Sequence, residues 1–159
     1  MAKADLSADR LRSILNYDHD TGLFTKRGRA VGFLVPPKNY MRVLVDGRQW
    51  LAHRLAWLYV HGQWPSGQID HVNGIKTDNR IANLRDVPAY VNMQNMRRPM
   101  SHNRSSGVLG VTWAKNEKKW KAQISIKGVT RHLGYADSIE DAQDIYLAEK
   151  RRLHAGCTI

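Results

Sequence analysis

Two neighbouring residues, Asp70 and His71, carry side chains suited to the hydrolysis of a phosphodiester. An imidazole can take the proton of the attacking water. A carboxylate oxygen can hold the hard divalent ion that stabilises the transition state and the departing oxygen. Three asparagines follow in the same segment, GQIDHVNGIKTDNRIANLRD: Asn73, Asn79 and Asn83. A turn needs only one or two such residues, so the surplus predicts amide groups that serve a site.

The chain has to bend after His71 if Asp70 and His71 are to share one phosphate, because neighbouring side chains on a strand point to opposite faces. The turn-forming pair Asn73-Gly74 supplies a bend at this point. We therefore expect QIDHVNG to be a strand that runs into a turn.

The elements that surround this segment are predicted from apolar spacing and turn residues. Alternating Met41, Val43 and Val45 predict a strand, and the period changes to helical spacing from about Leu51. In chain order the first half is predicted to hold a helix over 6–16, a strand after the turn 20–22, a hairpin that turns at Asp46-Gly47, a helix from about Leu51 that ends before Gly62 and Pro65, a loop at IANLRDV, and a helix at AYVNMQNM.

The second half predicts a small sheet and one helix. Strands are expected at about 108–114, 119–127 and 129–135, and a helix at about 139–154 with a capping box from Ser138 to Asp141. The polar, proline-containing segment RRPMSHNRSSG, residues 97–107, is the best linker candidate. The expected organisation is a first domain over 1–98, a linker over 99–106 and a second domain over 107–159.

Composition bounds the function class. The 159 residues carry 25 Lys and Arg against 14 Asp and Glu, and both halves are basic. This excess points to a polyanion, most often nucleic acid, although a ribosomal protein would share it. Cys157 is the only cysteine, which excludes an internal disulfide and a zinc knuckle of CxxC pairs. No apolar run is long enough for a membrane span or a secretion signal, so we expect a cytoplasmic protein.

Residues 15–98 resemble the phage and intron branch of the HNH endonucleases. The resemblance is carried by "DH" at Asp70-His71, "NL" at Asn83-Leu84 and an asparagine in AYVNMQNM, with YDHDTG, AHRLAW and G-x-x-P upstream. It implies an α+β fold with a ββα-metal nuclease unit, and a double-stranded DNA substrate in the cytoplasm of a phage's or mobile element's host.

The resemblance also implies a role for each matching residue. His71 would be the general base, Asn83 would brace the loop, and Asp70 and Asn92 would hold one divalent ion. Because the last ligand is Asn rather than His, we expect Mg²⁺ or Mn²⁺ rather than Zn²⁺. Asn95 is a rival to Asn92, since a shift of one helical turn would exchange them.

Other residues with possible roles are weighed against simpler explanations. His53 is expected to be a packed histidine beside Arg54, which is predicted to contact phosphate. The tryptophans of the first half, Trp50, Trp57 and Trp64, are expected to form a core rather than a base-stacking surface.

The segment KKWKAQISIKG alternates apolar and polar residues, which predicts a sheet with one buried face and one open, basic face. Together with GVLGVTW and RHLGYADSIEDAQDIYLAEK it resembles the plant ethylene-response-factor (apetala-two) domain, a three-stranded antiparallel sheet packed on one helix. The resemblance covers about residues 107–156. It implies that Thr112, Lys121, Gln123, Ser125 and His132 face DNA, with Lys119 and Arg131 near the backbone. Thr112 and Ala114 stand where the plant domains carry arginines, so we expect weaker base recognition.

The sequence thus predicts a metal-dependent, homing-type DNA endonuclease that nicks one strand, acts as a monomer and is directed by its second domain. Association with other phage proteins is left open. The alternative is a DNA-binding protein without catalysis, and a third candidate is an RNA-binding basic protein.

Overall fold

The computed structural model describes residues 6–37, 39–96, 99, 105–126, 128–154 and 156–158. The chain divides into two compact units, residues 1–88 and residues 89–159. The strands of the described residues pair only antiparallel and form four small sheets. Helices accompany these sheets, so the fold is a mixture of α and β elements. Most of the predicted linker, residues 100–104, lies outside the described residues.

The first unit contains two α-helices, eight strands and one 3₁₀ turn among its described residues. In chain order they are α1 (Ala8–Ile14), β1 (Asn16–Tyr17), β2 (Phe24–Lys26), β3 (Arg29–Val31), β4 (Phe33–Val35), β5 (Tyr40–Val45), β6 (Arg48–Leu51), α2 (Ala52–His61), β7 (Gln68–His71), the 3₁₀ turn Ile81–Asn83 and β8 (Leu84–Val87). The sheets join β1-β2-β3, β4-β5-β6 and β7-β8.

The core of this unit forms where α1 packs against α2 and α2 packs against β5. Leu11, Leu55 and Leu58 bury one face of each helix, and Val43 and Val45 bury the alternate residues of the strand. The three tryptophans of this region are partly buried against that core, which confirms the prediction of a packing role.

Local signals place the elements next to the core. The β5–β6 hairpin turns at Asp46 and Gly47, both at positive φ, 49° and 74°, which is the geometry of a two-residue hairpin turn. Helix α2 ends at Gly62, which adopts the left-handed conformation at φ 76°. Both features confirm the sequence prediction.

The prediction of a loop over residues 81–87 is wrong in its second half. Leu84–Val87 is strand β8, which pairs antiparallel with β7 so that His71 lies opposite Leu84 and Gln68 opposite Val87. Strand β8 is stabilised by hydrogen bonds to β7, which lies more than a dozen residues earlier in the chain. Its own four residues are too few to show a periodic pattern that predicts a strand.

The second unit contains α3 (Ala89–Gln94), β9 (Val111–Ala114), β10 (Lys119–Ile126), β11 (Val129–Ala136) and α4 (Ile139–Leu153) among its described residues. The three strands form one sheet in the order β11-β10-β9, and α4 covers its apolar face. The buried core consists of Val111, Ala122, Ile124, Ala142 and Tyr146. The Ser138 hydroxyl accepts from the backbone N–H of Asp141 at 3.0 Å and caps α4 as predicted.

Helix α3 is held by the last turn of α4 and the segment after it. Lys150 is only 1% exposed, and its Nζ donates to the carbonyl oxygen of Met96 at 2.6 Å. The backbone N–H of Gly156 donates to Oε1 of Gln94 at 3.0 Å, and the Thr158 hydroxyl donates to Oδ1 of Asn95. Among the helices of the described residues, none has the length and hydropathy to cross a membrane.

Candidate active site

Asp70 and His71 end strand β7, and each is only 5% exposed. The chain turns directly after them, since the backbone N–H of Gly74 donates to the carbonyl oxygen of His71 at 2.8 Å. The 3₁₀ turn and β8 return the chain to the same strand. The segment therefore forms a short antiparallel pair with a tight, polar loop at the end that carries these two side chains.

Asn79 sets the orientation of the His71 ring. Its Nδ2 donates to the carbonyl oxygen of Thr77 at 3.3 Å, which leaves its Oδ1 facing Nε2 of His71, also at 3.3 Å. An amide oxygen can only accept, so Nε2 carries the ring proton and the lone pair lies on Nδ1. The Tyr17 hydroxyl donates to the carbonyl oxygen of Asn79 at 2.7 Å and fixes the backbone there.

The environment keeps His71 neutral. Burial lowers its pKa below the ordinary value, against the hydrogen bond to Asn79 and the charge of Asp70, which raise it. A histidine with a lowered pKa is neutral near pH 7, which is the protonation state that a general base requires.

A second histidine lies against the first. The rings of His53 and His71 meet edge to face with centroids 5.1 Å apart, and the Tyr40 ring lies 5.2 Å from His53 and 6.1 Å from His71. His53 is 5% exposed, and its Nδ1 has no hydrogen-bond partner among the described residues. Burial lowers the pKa of His53 to about 3. His53 is therefore a packed, neutral histidine that contacts the site.

Asp70 forms an ion pair across the strands. Arg85 lies directly opposite it in the β7–β8 register, and both Nε and a terminal nitrogen of Arg85 bind Oδ2 of Asp70, at 2.8 and 2.7 Å. Cross-strand neighbours of opposite charge support each other in this way. The pair compensates a carboxylate that burial would otherwise destabilise.

Asn83 spans the loop that follows the pair. Its Oδ1 accepts from the backbone N–H of Asn73 at 2.9 Å, and its Nδ2 donates to the carbonyl oxygen of Asp78 at 2.8 Å. Asn73 in turn donates through Nδ2 to the Asp78 carboxylate at 2.7 Å. The asparagines beyond the needs of a simple turn thus fix the loop and the ring of His71.

Asn92 and Asn95 lie on and just after α3, in the second unit. Asn95 is buried and its side chain accepts from the Thr158 hydroxyl.

The donor set suits a hard ion. No group of three or more His, Cys, Asp or Glu residues that could hold a metal ion occurs among the described residues. Among the described residues of the first unit, Asp70 is the one carboxylate side chain that is buried. Mg²⁺ is commonly held by one or two carboxylates together with substrate phosphate oxygens, so Asp70 is a residue that could hold such an ion.

The polar face of the C-terminal sheet brings most of the predicted DNA-contacting residues together. Lys121 lies opposite Thr112 on one side and Tyr135 on the other, and Gln123 lies opposite His132. Residues opposite each other on paired strands share a face. Six of the predicted residues belong to this open face: Thr112, Lys119, Lys121, Gln123, Ser125 and His132.

Arg131 and Arg54 are placed differently. Arg131 lies opposite Ile124, whose side chain is buried, so Arg131 belongs to the face of the sheet that α4 covers. Arg131 is nevertheless exposed. Arg54 lies on α2 in the first unit, with its guanidinium carbon 5.7 Å from the centroid of the Trp64 ring.

Sequence reasoning missed two residues of this site, Arg85 and Tyr40, and did not assign the role of a third, Asn79. Arg85 had no signal, because the strand that carries it was not predicted. Tyr40 lies thirty residues before Asp70 and reaches the site only through the β5 strand. Asn79 stood among several asparagines, and spacing alone did not separate its role from the others.

Residues 51–94 match the HNH endonuclease family, which confirms the HNH resemblance in this region. The chain is also similar to Protein 3.8 of Escherichia phage T7, with 30% identity over 103 residues that cover 64% of this chain and 83% of that protein. No solved structure matches the chain. The HNH match begins beside α2 and contains Asp70, His71 and Asn83. The chain therefore belongs to the family of phage T7 Protein 3.8 and carries an HNH endonuclease domain at residues 51–94.

Proposed function

We propose that the protein is a divalent-metal-dependent DNA endonuclease with His71 as its general base. The observation that carries the proposal is the neutral His71 ring, which Asn79 orients through Nε2, next to the carboxylate of Asp70 within the HNH match. A base that is neutral, oriented and adjacent to an acidic ligand is what water activation beside a hard ion requires.

The reaction is hydrolysis of one phosphodiester bond. Nδ1 of His71 takes a proton from water, the water oxygen forms a bond to phosphorus, and the bond from phosphorus to the 3′ oxygen breaks. The 3′ oxygen leaves as an alkoxide and takes a proton from solvent. Asp70 and Asn92 would hold Mg²⁺ or Mn²⁺, which supplies charge stabilisation to the transition state and the leaving oxygen when bound. Asn83 keeps the loop in the shape that presents His71.

The open face of the C-terminal sheet is proposed to bind the duplex. Its lysines can neutralise phosphates, and Gln123 can read an adenine edge in the major groove. Arg131 and Arg54 remain predicted phosphate contacts, and the likeness to the ethylene-response-factor domain remains a prediction. We further propose that the chain acts as a monomer that nicks one strand, because each chain has one Asp-His pair of this kind in the HNH match.

The ion pair of Asp70 with Arg85 favours the alternative function, a DNA-binding protein without catalysis. Two nitrogens of Arg85 already contact Oδ2 of Asp70, and that contact competes with a metal ion for the carboxylate. For the nuclease function, a metal ion bound together with the substrate phosphate has to replace Arg85 as the partner of the Asp70 carboxylate.

A nicking assay on supercoiled plasmid separates these functions. Wild type with Mg²⁺ should convert the plasmid to the open circle, and His71→Ala should leave it supercoiled while still shifting DNA in a gel. His61→Ala is the matched control, since His61 is exposed at the end of α2, and it should nick like wild type. DNA binding without nicking by wild type at any Mg²⁺ or Mn²⁺ concentration would establish the binding-only function.

A further inference from the structure

Lys76 lies in the loop beside His71, and the mechanism above does not use it. Its Nζ is 5.0 Å from the centroid of the Tyr40 ring, the same ring that lies 6.1 Å from His71. Its charge acts on His71, whose pKa it lowers. An exposed cation thus lies over an aromatic ring that borders the general base.

The loop fixes the backbone on both sides of Lys76. The N–H of Ile75 donates to Oδ1 of Asn73 at 2.8 Å, and the N–H of Asp78 donates to the carbonyl oxygen of Ile75 at 3.1 Å. Asn73 and Asp78 are joined through their side chains and to Asn83. The base of the Lys76 side chain is therefore held in place, and the Tyr40 ring limits where its end can lie.

The Asp70–Arg85 pair does not by itself supply positive charge to a bound phosphate. The buried carboxylate of Asp70 is already matched by Arg85, so the site gains no net positive charge from that pair. A phosphodiester is an anion, and its charge moves onto the nonbridging oxygens as water attacks. A lysine ammonium is a compact point charge with three donors and binds phosphate oxygens well.

We propose that Lys76 is a catalytic residue that contacts a nonbridging oxygen of the scissile phosphate, with Tyr40 as the positioning residue that holds it. The substrate is the anionic phosphodiester of DNA. This inference rests on the proposed nuclease function, and it adds a protein-borne cation to the divalent ion.

The test compares single-turnover nicking of supercoiled plasmid by Lys76→Gln, Lys76→Arg and wild type, with saturating Mg²⁺. Lys76→Gln should slow nicking roughly 100- to 1,000-fold, as expected for loss of one donor to a developing charge. Lys76→Arg should recover most of the rate. Lys26→Gln is the matched control, because it removes the same charge from another exposed lysine of the first unit, and it should nick like wild type.

The role of Tyr40 is tested in the same assay. Tyr40→Phe keeps the ring and should keep the rate, whereas Tyr40→Leu should slow nicking. Lys76→Gln combined with Tyr40→Leu should be no slower than Lys76→Gln alone, since both changes remove one interaction.

The outcomes separate the two proposals. Nicking by wild type and by Lys76→Gln at equal rates would overturn the role of Lys76 and leave the nuclease function standing. A wild-type protein that binds the plasmid but does not nick it would overturn both. Equal loss of rate by Lys76→Gln and Lys76→Arg, with unchanged thermal unfolding, would also contradict a contact that depends on positive charge.

Discussion

His53 makes the folded first unit sensitive to acid, and the size of the effect can be worked out. Burial lowers its pKa to about 3 in the folded state, whereas an exposed histidine titrates near pH 6.5. Between these pH values, His53 is therefore protonated in the unfolded chain and neutral in the folded chain. By linkage, this contribution to stability is complete above about pH 6.5 and is lost as the pH falls toward 3. At pH 5 the loss is about 2 kcal/mol relative to pH 8.

The perturbation is His53→Phe, which keeps a ring against Tyr40 and His71 but cannot take a proton. Between pH 8 and pH 5, the unfolding free energy should fall by about 2 kcal/mol less in the variant than in the reference protein. Urea unfolding followed by tryptophan fluorescence measures this difference. Replacing Trp113 and Trp120 by phenylalanine in both proteins confines the signal to the tryptophans of the first unit.

Ala56→Gly is the control, because Ala56 is fully buried on the same helix and does not titrate. It should lower the unfolding free energy by about 1 kcal/mol at both pH values. Identical pH dependence of His53→Phe and the reference protein would refute the account of His53 as a buried neutral ring.

Two further predictions concern the orientation of His71 and the open face of the sheet. Asn79→Ala should slow nicking roughly 10- to 100-fold with little change in DNA affinity, because the ring of His71 loses the acceptor that fixes its proton on Nε2. Asn79→Asp keeps an acceptor and should be slowed less. Single-turnover rates measure the effect on nicking, and gel shifts measure the effect on DNA affinity. Lys121→Gln should weaken DNA binding and reduce the slope of log affinity against log salt concentration by about 1, as measured by fluorescence anisotropy. Lys26→Gln is the control and should leave the slope unchanged. Equal slopes for wild type and both variants would show that Lys121 of the sheet face does not contact DNA phosphate.

The contacts of α3 decide which experiments can test the second unit. Deleting residues 100–159 would remove the DNA-binding sheet, but it would also remove Lys150, Gly156 and Thr158, which hold α3 and the residues after it. The truncated chain would lose the support of the helix that carries Asn92. Point substitutions on the sheet face therefore separate binding from catalysis more cleanly than truncation does.

Elements with local signals could be predicted from the sequence. The Asp46-Gly47 turn, the glycine that ends α2 and the Ser138 cap each specify their conformation within a few residues, and the structure has all three. Alternation along β10 likewise indicated which residues are buried. These signals do not depend on distant partners.

The features that the sequence did not reveal depend on distant contacts. Strand β8 is short and polar, and only its pairing with β7 makes it a strand. Tyr40 and His53 meet His71 through the packing of β5 and α2, so no spacing within the Asp-His segment could indicate them. The side-chain direction of Asn79 depends on the carbonyl of Thr77 and on Tyr17.

The central claim is that the imidazole of His71 activates water against a DNA phosphate. The most direct measurement is the ratio of single-turnover nicking rates of wild type and His71→Ala on the same plasmid, at saturating Mg²⁺ and equal DNA occupancy. The account predicts a ratio on the order of 100 or more, as for the loss of a general base. A ratio near 1 would contradict it and assign any cleavage to other groups.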